Sequence, residues 1–105
     1  MAEPYSIEYR NETVKHVRAI EPKYHGLIRS TIEQRLRREP LVEAENRKPM
    51  RPNPFGTGIW ELRFGPNNRF RAFYRADEEA RTVEVVAIGL KIGNRFFFGG
   101  EERKV

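Results

Sequence analysis

The chain has 105 residues, of which 38% are hydrophobic and none is cysteine, and its formal net charge is +5. This length predicts a single domain, residues 1–105, whose core is too small for a deep internal cavity, so any site should be a surface groove. The absence of cysteine excludes disulfides, thiolate nucleophiles and cysteine-ligated metals, and with 2 histidines and a single aspartate we expect no metal site and no cofactor.

The first half of the chain predicts one strand followed by two helices. Residues 5–10 alternate between apolar and polar side chains, as in a short strand, and Asn11 is a suitable helix N-cap. A first helix should then carry one apolar stripe, and a second should begin at Pro22 and end before Pro40. The stripe of the first helix comprises Val14, Val17 and Ile20, and that of the second comprises Tyr24, Leu27, Ile28, Ile32 and Leu36.

Residues 41–58 contain three prolines and two glycines, which predicts an irregular loop. Arg47, Lys48 and Arg51 should be exposed on it. The loop is therefore expected to be both basic and stiff.

A hairpin follows, and its register can be deduced. Residues 58–64 and 69–75 both alternate, and a three-residue loop at Pro66–Asn68 would place every apolar side chain of the two strands on one face. The facing pairs would be Trp60 with Tyr74, Leu62 with Ala72, and Phe64 with Phe70. The same register places Arg63 directly opposite Arg71.

The third strand of the second half, Thr82–Ile92, is apolar on both faces, with Val83, Val85 and Ala87 on one and Val86, Ile88 and Leu90 on the other. This pattern is typical of a central strand. The predicted fold class is α+β: one N-terminal strand, two helices and a three-stranded antiparallel meander. The helices should pack on one face of a mainly antiparallel sheet and leave the other face open.

The basic residues are mostly arginines and cluster in the middle of the chain. Residues 29–75 hold 11 basic and 5 acidic side chains, so the positive surplus lies there. The planar guanidinium group binds phosphate through two parallel hydrogen bonds. The distribution favours a nucleic-acid partner, and an acidic protein segment is the alternative.

Opposed arginines are destabilising in a strand pair unless an anion relieves them, so Arg63 and Arg71 indicate a phosphate-binding groove. Arg69, Arg75 and the loop bases would extend it. The alternative is a solvated polar face with Glu61 as counter-ion. The aromatic run at 96–98, beside Arg95, could stack on bases, but the preferred interpretation is an ordinary C-terminal strand or turn that packs these aromatics under the helices.

The segment IWELRFGPNNRFRAFYR at 59–75, followed by TVEVVAIGLK at 82–91, resembles the core of the RelE/ParE toxin superfamily. The resemblance is close over about 40 residues, and the order of elements fits the whole chain. It implies a RelE-like fold and the small toxin of a type II toxin–antitoxin pair. RelE-like members enter the ribosome and cut mRNA without a metal, the 2′-hydroxyl of one nucleotide attacking the next phosphorus.

The resemblance also implies roles for individual residues. The family's essential arginine falls on Arg63 and the second hairpin arginine on Arg71, both stabilising the phosphorane. Proton transfer would be assisted by Lys48, Arg51 or Lys91. The family's C-terminal tyrosine or histidine falls near Phe97, which cannot exchange a proton. Further RNA-binding residues would be Arg47, Arg69, Arg75, Arg95 and Phe97.

The expected partners are an acidic antitoxin encoded by an adjacent gene, the ribosome and mRNA. No signal pattern is present, and the longest apolar run is far shorter than a membrane span, so we expect a cytoplasmic protein without a membrane partner. Two alternatives stay open: a ParE-like inhibitor that binds DNA gyrase, and a basic binding module without catalysis.

Overall fold

The computed structural model describes residues 3–105 and consists of two helices on a curved, mostly antiparallel sheet. The strands run β2-β3-β4-β5-β6-β7 across the sheet, and β1 pairs in parallel with β5. Short 3-10 turns precede α2 and close the β3–β4 hairpin. The elements are β1 Ser6–Tyr9, α1 Glu12–Arg18, α2 His25–Leu36, β2 Arg47–Pro49, β3 Trp60–Phe64, β4 Phe70–Asp77, β5 Thr82–Ile92, β6 Arg95–Phe98 and β7 Glu101–Glu102. No helix within residues 3–105 is long and apolar enough to cross a membrane.

The deduced hairpin register is confirmed at every pair between β3 and β4, including Arg63 opposite Arg71. Its turn uses three special backbone conformations. Gly65 has a φ of 82°, and Asn67 and Asn68 have φ of 55° and 51°, in the left-handed region that asparagine tolerates better than most residues. A side chain at Gly65 would also collide with the Phe70 ring.

The helices pack on one face of the sheet and enclose the main core. Ile28, Ile32 and Leu36 of α2 are buried against side chains of β3, β4 and β5. The predicted stripes are wrong at two positions, because Val14 and Leu27 are exposed. In α1 the buried positions are instead Thr13 and His16, so the helix is rotated relative to the predicted stripe.

The opposite face is not open over its whole area, as the sequence had suggested. A second, smaller cluster there comprises Ile59, Phe73, Val86, Ala87 and Phe98. Val86 and Ala87 share this face because the β4–β5 register shifts between Phe73 and Tyr74. The predicted alternation of β5 is therefore wrong beyond Val85, and Ile88 returns to the helix side.

The segment at 41–58 is not wholly irregular. Arg47–Pro49 forms the edge strand β2, whose pairing with β3 places Arg47 opposite Leu62. Arg47 is buried rather than exposed. Its guanidinium donates hydrogen bonds to the carbonyls of Val42 (2.7 Å) and Arg35 (3.3 Å), so it ties the loop to the end of α2.

One edge of β5 is shared by two strands. β1 pairs with its first half and β6 with its last residues, which leaves a gap between them. His16 of α1 fills this gap, because its Nδ1 accepts a hydrogen bond from the backbone N–H of Ile88 (3.2 Å). The ring also packs edge-on against Phe98. A helix side chain thus completes the edge of the central strand.

Candidate functional site

An open groove of about 600 Å³ lies on the sheet face opposite the helices, beside the smaller cluster. It brings together all five residues predicted to be catalytic. Lys48, Arg63, Arg71 and Lys91 come from four neighbouring strands, β2 to β5, and Arg51 comes from the loop after β2. The remaining lining residues are Pro49, Met50, Pro52, Asn53, Glu61, Phe96 and Val105.

Glu61 is the counter-ion of the opposed arginines. Its two carboxylate oxygens accept one hydrogen bond from Arg63 Nε and one from Arg71 Nη1, each at 3.1 Å. The expected counter-ion is confirmed, but this part of the face is not solvated, because Glu61 and Arg71 are only 4% and 5% exposed. Removing either Glu61 or Arg71 is costly, since the remaining buried partner is left with uncompensated charge.

The two arginine side chains differ in how firmly hydrogen bonds hold their guanidinium groups. Arg71 is fixed at both ends of its guanidinium, since its Nε also donates to the carbonyl of Asn68 at 3.2 Å. Within residues 3–105 the Arg63 side chain has one hydrogen-bond partner, Glu61, and 35% of the side chain is accessible. Arg63 therefore keeps donors that can face a ligand in the groove, whereas Arg71 supplies a fixed positive charge behind it.

Phe96 is the aromatic residue of the groove. Its ring centroid lies 5.8 Å from the Arg71 guanidinium carbon and 5.9 Å from Lys91 Nζ. Sequence reasoning selected Phe97 instead. Neighbouring side chains of a strand point to opposite faces, so Phe97 faces away and is covered by Arg95 at 5.6 Å. The pairing of Lys91 with Phe96 places Phe96 in the groove, and this contact between strands is not visible in the order of the residues.

A glycine allows β6 to come this close to the groove. Gly89 pairs with Arg71, and a Cβ at this position would lie 2.4 Å from the Phe98 ring. The missing side chain thus lets Phe98 pack flat on β5. Because Phe98 is anchored there, Phe96 two residues earlier reaches the groove.

The other predicted RNA-binding residues lie elsewhere. Arg47 is buried behind β2, and Arg69 lines a neighbouring cavity. Arg75 pairs with Glu84 at 3.4 Å, and Arg95 pairs with Glu102 at 2.7 Å. Of these four, Arg69 is the one whose cavity shares residues, Arg71 and Lys91, with the groove.

Neither histidine lines the groove. His25 Nε2 lies 2.7 Å from the carbonyl oxygen of Ile20, where it joins α2 to the end of the preceding turn. Burial lowers the pKa of His16 below 6.5; nearby Glu12 opposes this shift, and Arg103 and Lys15 add to it. Residues 3–105 contain no group of three or more histidine, cysteine or acidic side chains that could hold a metal.

The groove is suited to an anion flanked by a planar ring. Four cations, Lys48, Arg51, Arg63 and Lys91, surround it, and Arg71 adds a fifth from beneath, while Glu61 offsets one charge. A phosphodiester carries a single negative charge and accepts the paired hydrogen bonds that guanidinium donates. The Phe96 ring offers a surface on which a base can stack.

No protein-family model matches the sequence, and a search of curated proteins finds no match. Solved structures do match. A chain of the toxin–antitoxin complex RelBE2 from Mycobacterium tuberculosis superimposes with a TM-score of 0.70 at 23% identity, covering 87% of this chain and 95% of that one. An arginine-to-alanine double mutant of the Escherichia coli toxin RelE, in complex with a peptide of its antitoxin, gives 0.61 at 15% identity, covering 85% of each chain. The chain therefore has the RelE fold, which confirms the predicted α+β class.

Proposed function

We propose that this protein is the toxin of a type II toxin–antitoxin pair and that it inhibits translation by cutting mRNA on the ribosome without a metal. The observation that carries the proposal is the convergence of Lys48, Arg51, Arg63, Arg71 and Lys91 in one groove. These residues are distant in sequence, and the sheet brings them to one face. Both RelE-fold structures are complexes of a toxin with its antitoxin.

The proposed reaction is a transfer at phosphorus. The 2′ oxygen of one nucleotide bonds to the adjacent phosphorus, and the bond from that phosphorus to the 5′ oxygen of the next nucleotide breaks. The products are a 2′,3′-cyclic phosphate and a 5′-hydroxyl. One proton leaves the 2′-hydroxyl and one reaches the departing 5′ oxygen, so the reaction needs groups that exchange protons.

Arg63 is assigned the main electrostatic role. Negative charge accumulates on the non-bridging oxygens in the transition state, and preorganised donors at that position are worth about 10²–10³-fold in rate. The hydrogen bond to Glu61 preorganises Arg63, and its accessible side chain can reach the ligand. Lys48 and Lys91 are assigned the proton transfers, with Arg51 as a further cation at the entrance.

Phe96 and the ribosome would align the substrate. A phenyl ring stacks but neither accepts nor donates a proton, so Phe96 positions a base without taking part in the proton transfers. The reaction then depends on electrostatic stabilisation and on alignment. Because mRNA and ribosomes are the targets, the protein would act in the cytoplasm.

The proposed partner is an antitoxin with an acidic segment that covers the groove. Its carboxylates would neutralise the five cations while it blocks access to RNA. We expect a short acidic protein to be encoded by an adjacent gene, and co-expression of the two should restore growth.

The test is induction of the protein in a bacterial host, followed by mapping of mRNA 5′ ends on ribosomes. New 5′ ends within codons are expected with the wild type and not with Arg63→Ala. Growth arrest without new 5′ ends, together with inhibited gyrase supercoiling, would assign the protein to the gyrase-binding class. A protein that is tolerated without any antitoxin and leaves mRNA intact would be a binding module.

A further inference from the structure

A second cavity, of about 570 Å³, lies beside the groove and shares Arg71 and Lys91 with it. It is formed by the β3–β4 turn on one side and the end of β5 on the other, and we call it the turn pocket. A ligand whose phosphate lies between Arg71 and Lys91 can therefore extend from one cavity into the other. The lining residues are Glu21, Asn67, Asn68, Arg69, Arg71, Leu90, Lys91, Ile92 and Gly93.

Away from the shared cations, the lining of the turn pocket differs from that of the groove. Leu90 and Ile92 contribute apolar surface, Asn67 and Asn68 contribute amides, and Glu21 contributes a carboxylate. An amide both donates and accepts hydrogen bonds, whereas a carboxylate only accepts them. The apolar surface suits the flat face of a base, and the polar groups suit its edge. A carboxylate disfavours a second phosphate in the same place.

The wall that carries the amides is held rigidly. The backbone N–H of Asn68 donates to the carbonyl of Gly65 (3.0 Å), and that of Lys91 donates to the carbonyl of Arg69 (2.7 Å). Arg71 Nε donates to the carbonyl of Asn68, which joins the turn to the Glu61 ion pairs of the groove. The turn pocket is therefore built in fixed register with the groove.

We propose that the turn pocket binds the base of a nucleotide next to the phosphate in the groove, and that it prefers bases with an exocyclic amino group. The preference follows from the acceptors, Glu21 and the amide oxygens, which pair with an amino group. Uracil has no amino group; its single N–H on this edge lies between two carbonyl oxygens, which face the Glu21 carboxylate unfavourably. This proposal rests on the proposed function, since it assumes that RNA occupies the groove.

The binding test is an amide NMR titration of the protein, made by cell-free synthesis, with two uncleavable dinucleotides. These are 2′-O-methylated CpC and UpU. We expect CpC to shift the amides of Asn67, Asn68 and Gly93, with a Kd at least about fivefold lower than that of UpU, since a good polar base contact discriminates by about 1–3 kcal/mol. Equal affinities for CpC and UpU, or groove shifts without turn shifts, would overturn the proposal.

Matched variants identify the residues. Asn67→Gly with Asn68→Gly keeps the backbone tolerance for positive φ and removes both amides, so the CpC preference should disappear. Asn94→Gly, in the β5–β6 turn and outside the lining of both cavities, is the control and should keep it. Glu21→Gln should reduce the preference, and Glu43→Gln, on an exposed loop, should not. A preference that survives the loss of both asparagines and of the Glu21 carboxylate would contradict the assignment.

The two proposals fail in different ways. If CpC occupies the turn pocket with the expected preference but ribosomal mRNA stays intact, the nuclease proposal fails and the base pocket stands. If mRNA is cut with the same frequency beside U as beside A, C or G, the nuclease proposal stands and the base pocket fails. An absence of shifts in both cavities at saturating dinucleotide would overturn the base pocket as well.

Discussion

The sheet face that packs on the helices carries apolar side chains, among them Leu62 and Val83. The opposite face combines a small cluster of apolar and aromatic side chains with the ion pairs that Glu61 makes with Arg63 and Arg71. The first face gains stability from the burial of apolar surface. The second buries charges, whose desolvation cost consumes most of the attraction between them, and apolar residues of similar size are often as stable or more so. Folding therefore explains the first face, and the proposed RNA ligand would explain why the second keeps its charges.

The largest effect should come from breaking the ion pairs at their centre. Glu61→Ala leaves two arginines without a counter-ion and should lower the free energy of unfolding by about 3–5 kcal/mol, as measured by urea denaturation. On the helix side of the sheet, Ile32→Ala in α2 should lower the free energy of unfolding by about 2–5 kcal/mol, because it leaves a cavity in the main core. The combined replacement Glu61→Met, Arg63→Leu and Arg71→Met should restore stability but not activity. A triple variant less stable than Glu61→Ala would show that the ion pairs serve folding.

Arg63→Ala should separate chemistry from stability. We expect single-turnover mRNA cleavage on programmed ribosomes to slow by about 10²–10³-fold, because a preorganised donor is lost. The melting temperature should change little, since Arg71 still pairs with Glu61. Arg95→Ala, which removes an exposed cation paired with Glu102, is the control and should cut at the wild-type rate. A large drop in melting temperature for Arg63→Ala would count against a functional role.

Phe96 and Phe97 provide a test of which ring contacts RNA. Phe96→Ala should slow cleavage by about 5–150-fold, the equivalent of the roughly 1–3 kcal/mol that a stacked base contributes. Phe97→Ala should have a smaller effect on the rate, because this ring faces away from the groove. Phe97→Tyr should be neutral for the same reason. The opposite ranking of the two alanine variants would mean that β6 presents its other face to RNA.

The smallest effect should be a pH dependence of stability from His16. Its pKa is lowered by folding, so between that pKa and 6.5 the unfolded chain binds more protons than the folded one. Stability should be complete above about pH 6.5 and fall as the pH decreases, which melting temperatures at pH 5 and 8 would reveal. His16→Asn keeps an acceptor for the Ile88 N–H and should reduce this dependence. A His25→Gln variant should retain it.

The hairpin register could be predicted from the sequence because two independent constraints agreed. The hairpin turn length and the apolar alternation gave the same register, so the pairing of Arg63 with Arg71 could be predicted from the order of the residues alone. The five groove cations followed from the resemblance to the RelE/ParE superfamily, and the structure brings them together; their roles stay predictions.

The errors share a physical cause, which is contact between segments far apart in sequence. Arg47 is basic and lies in a proline-rich segment, and nothing local reveals that it pairs with Leu62 of β3 or that the carbonyl of Arg35 in α2 accepts a hydrogen bond from its guanidinium. The bulge that places Val86 beside Ala87 depends on β4, and the placement of Phe96 rather than Phe97 in the groove depends on the pairing of β6 with β5. Local alternation cannot supply either fact.

The sharing of β5 between β1 and β6 also bears on how the protein is synthesised. The first strand, at Ser6–Tyr9, finds its partner only after Thr82–Val85 has been made, and β6 must follow before Phe96 reaches the groove. Pairings between such distant segments form late and slowly, because a long loop must close first. A ribosome translating this chain therefore carries an unfinished groove for most of the elongation time. If the protein is the proposed nuclease, its activity would begin only after β6 has emerged and paired.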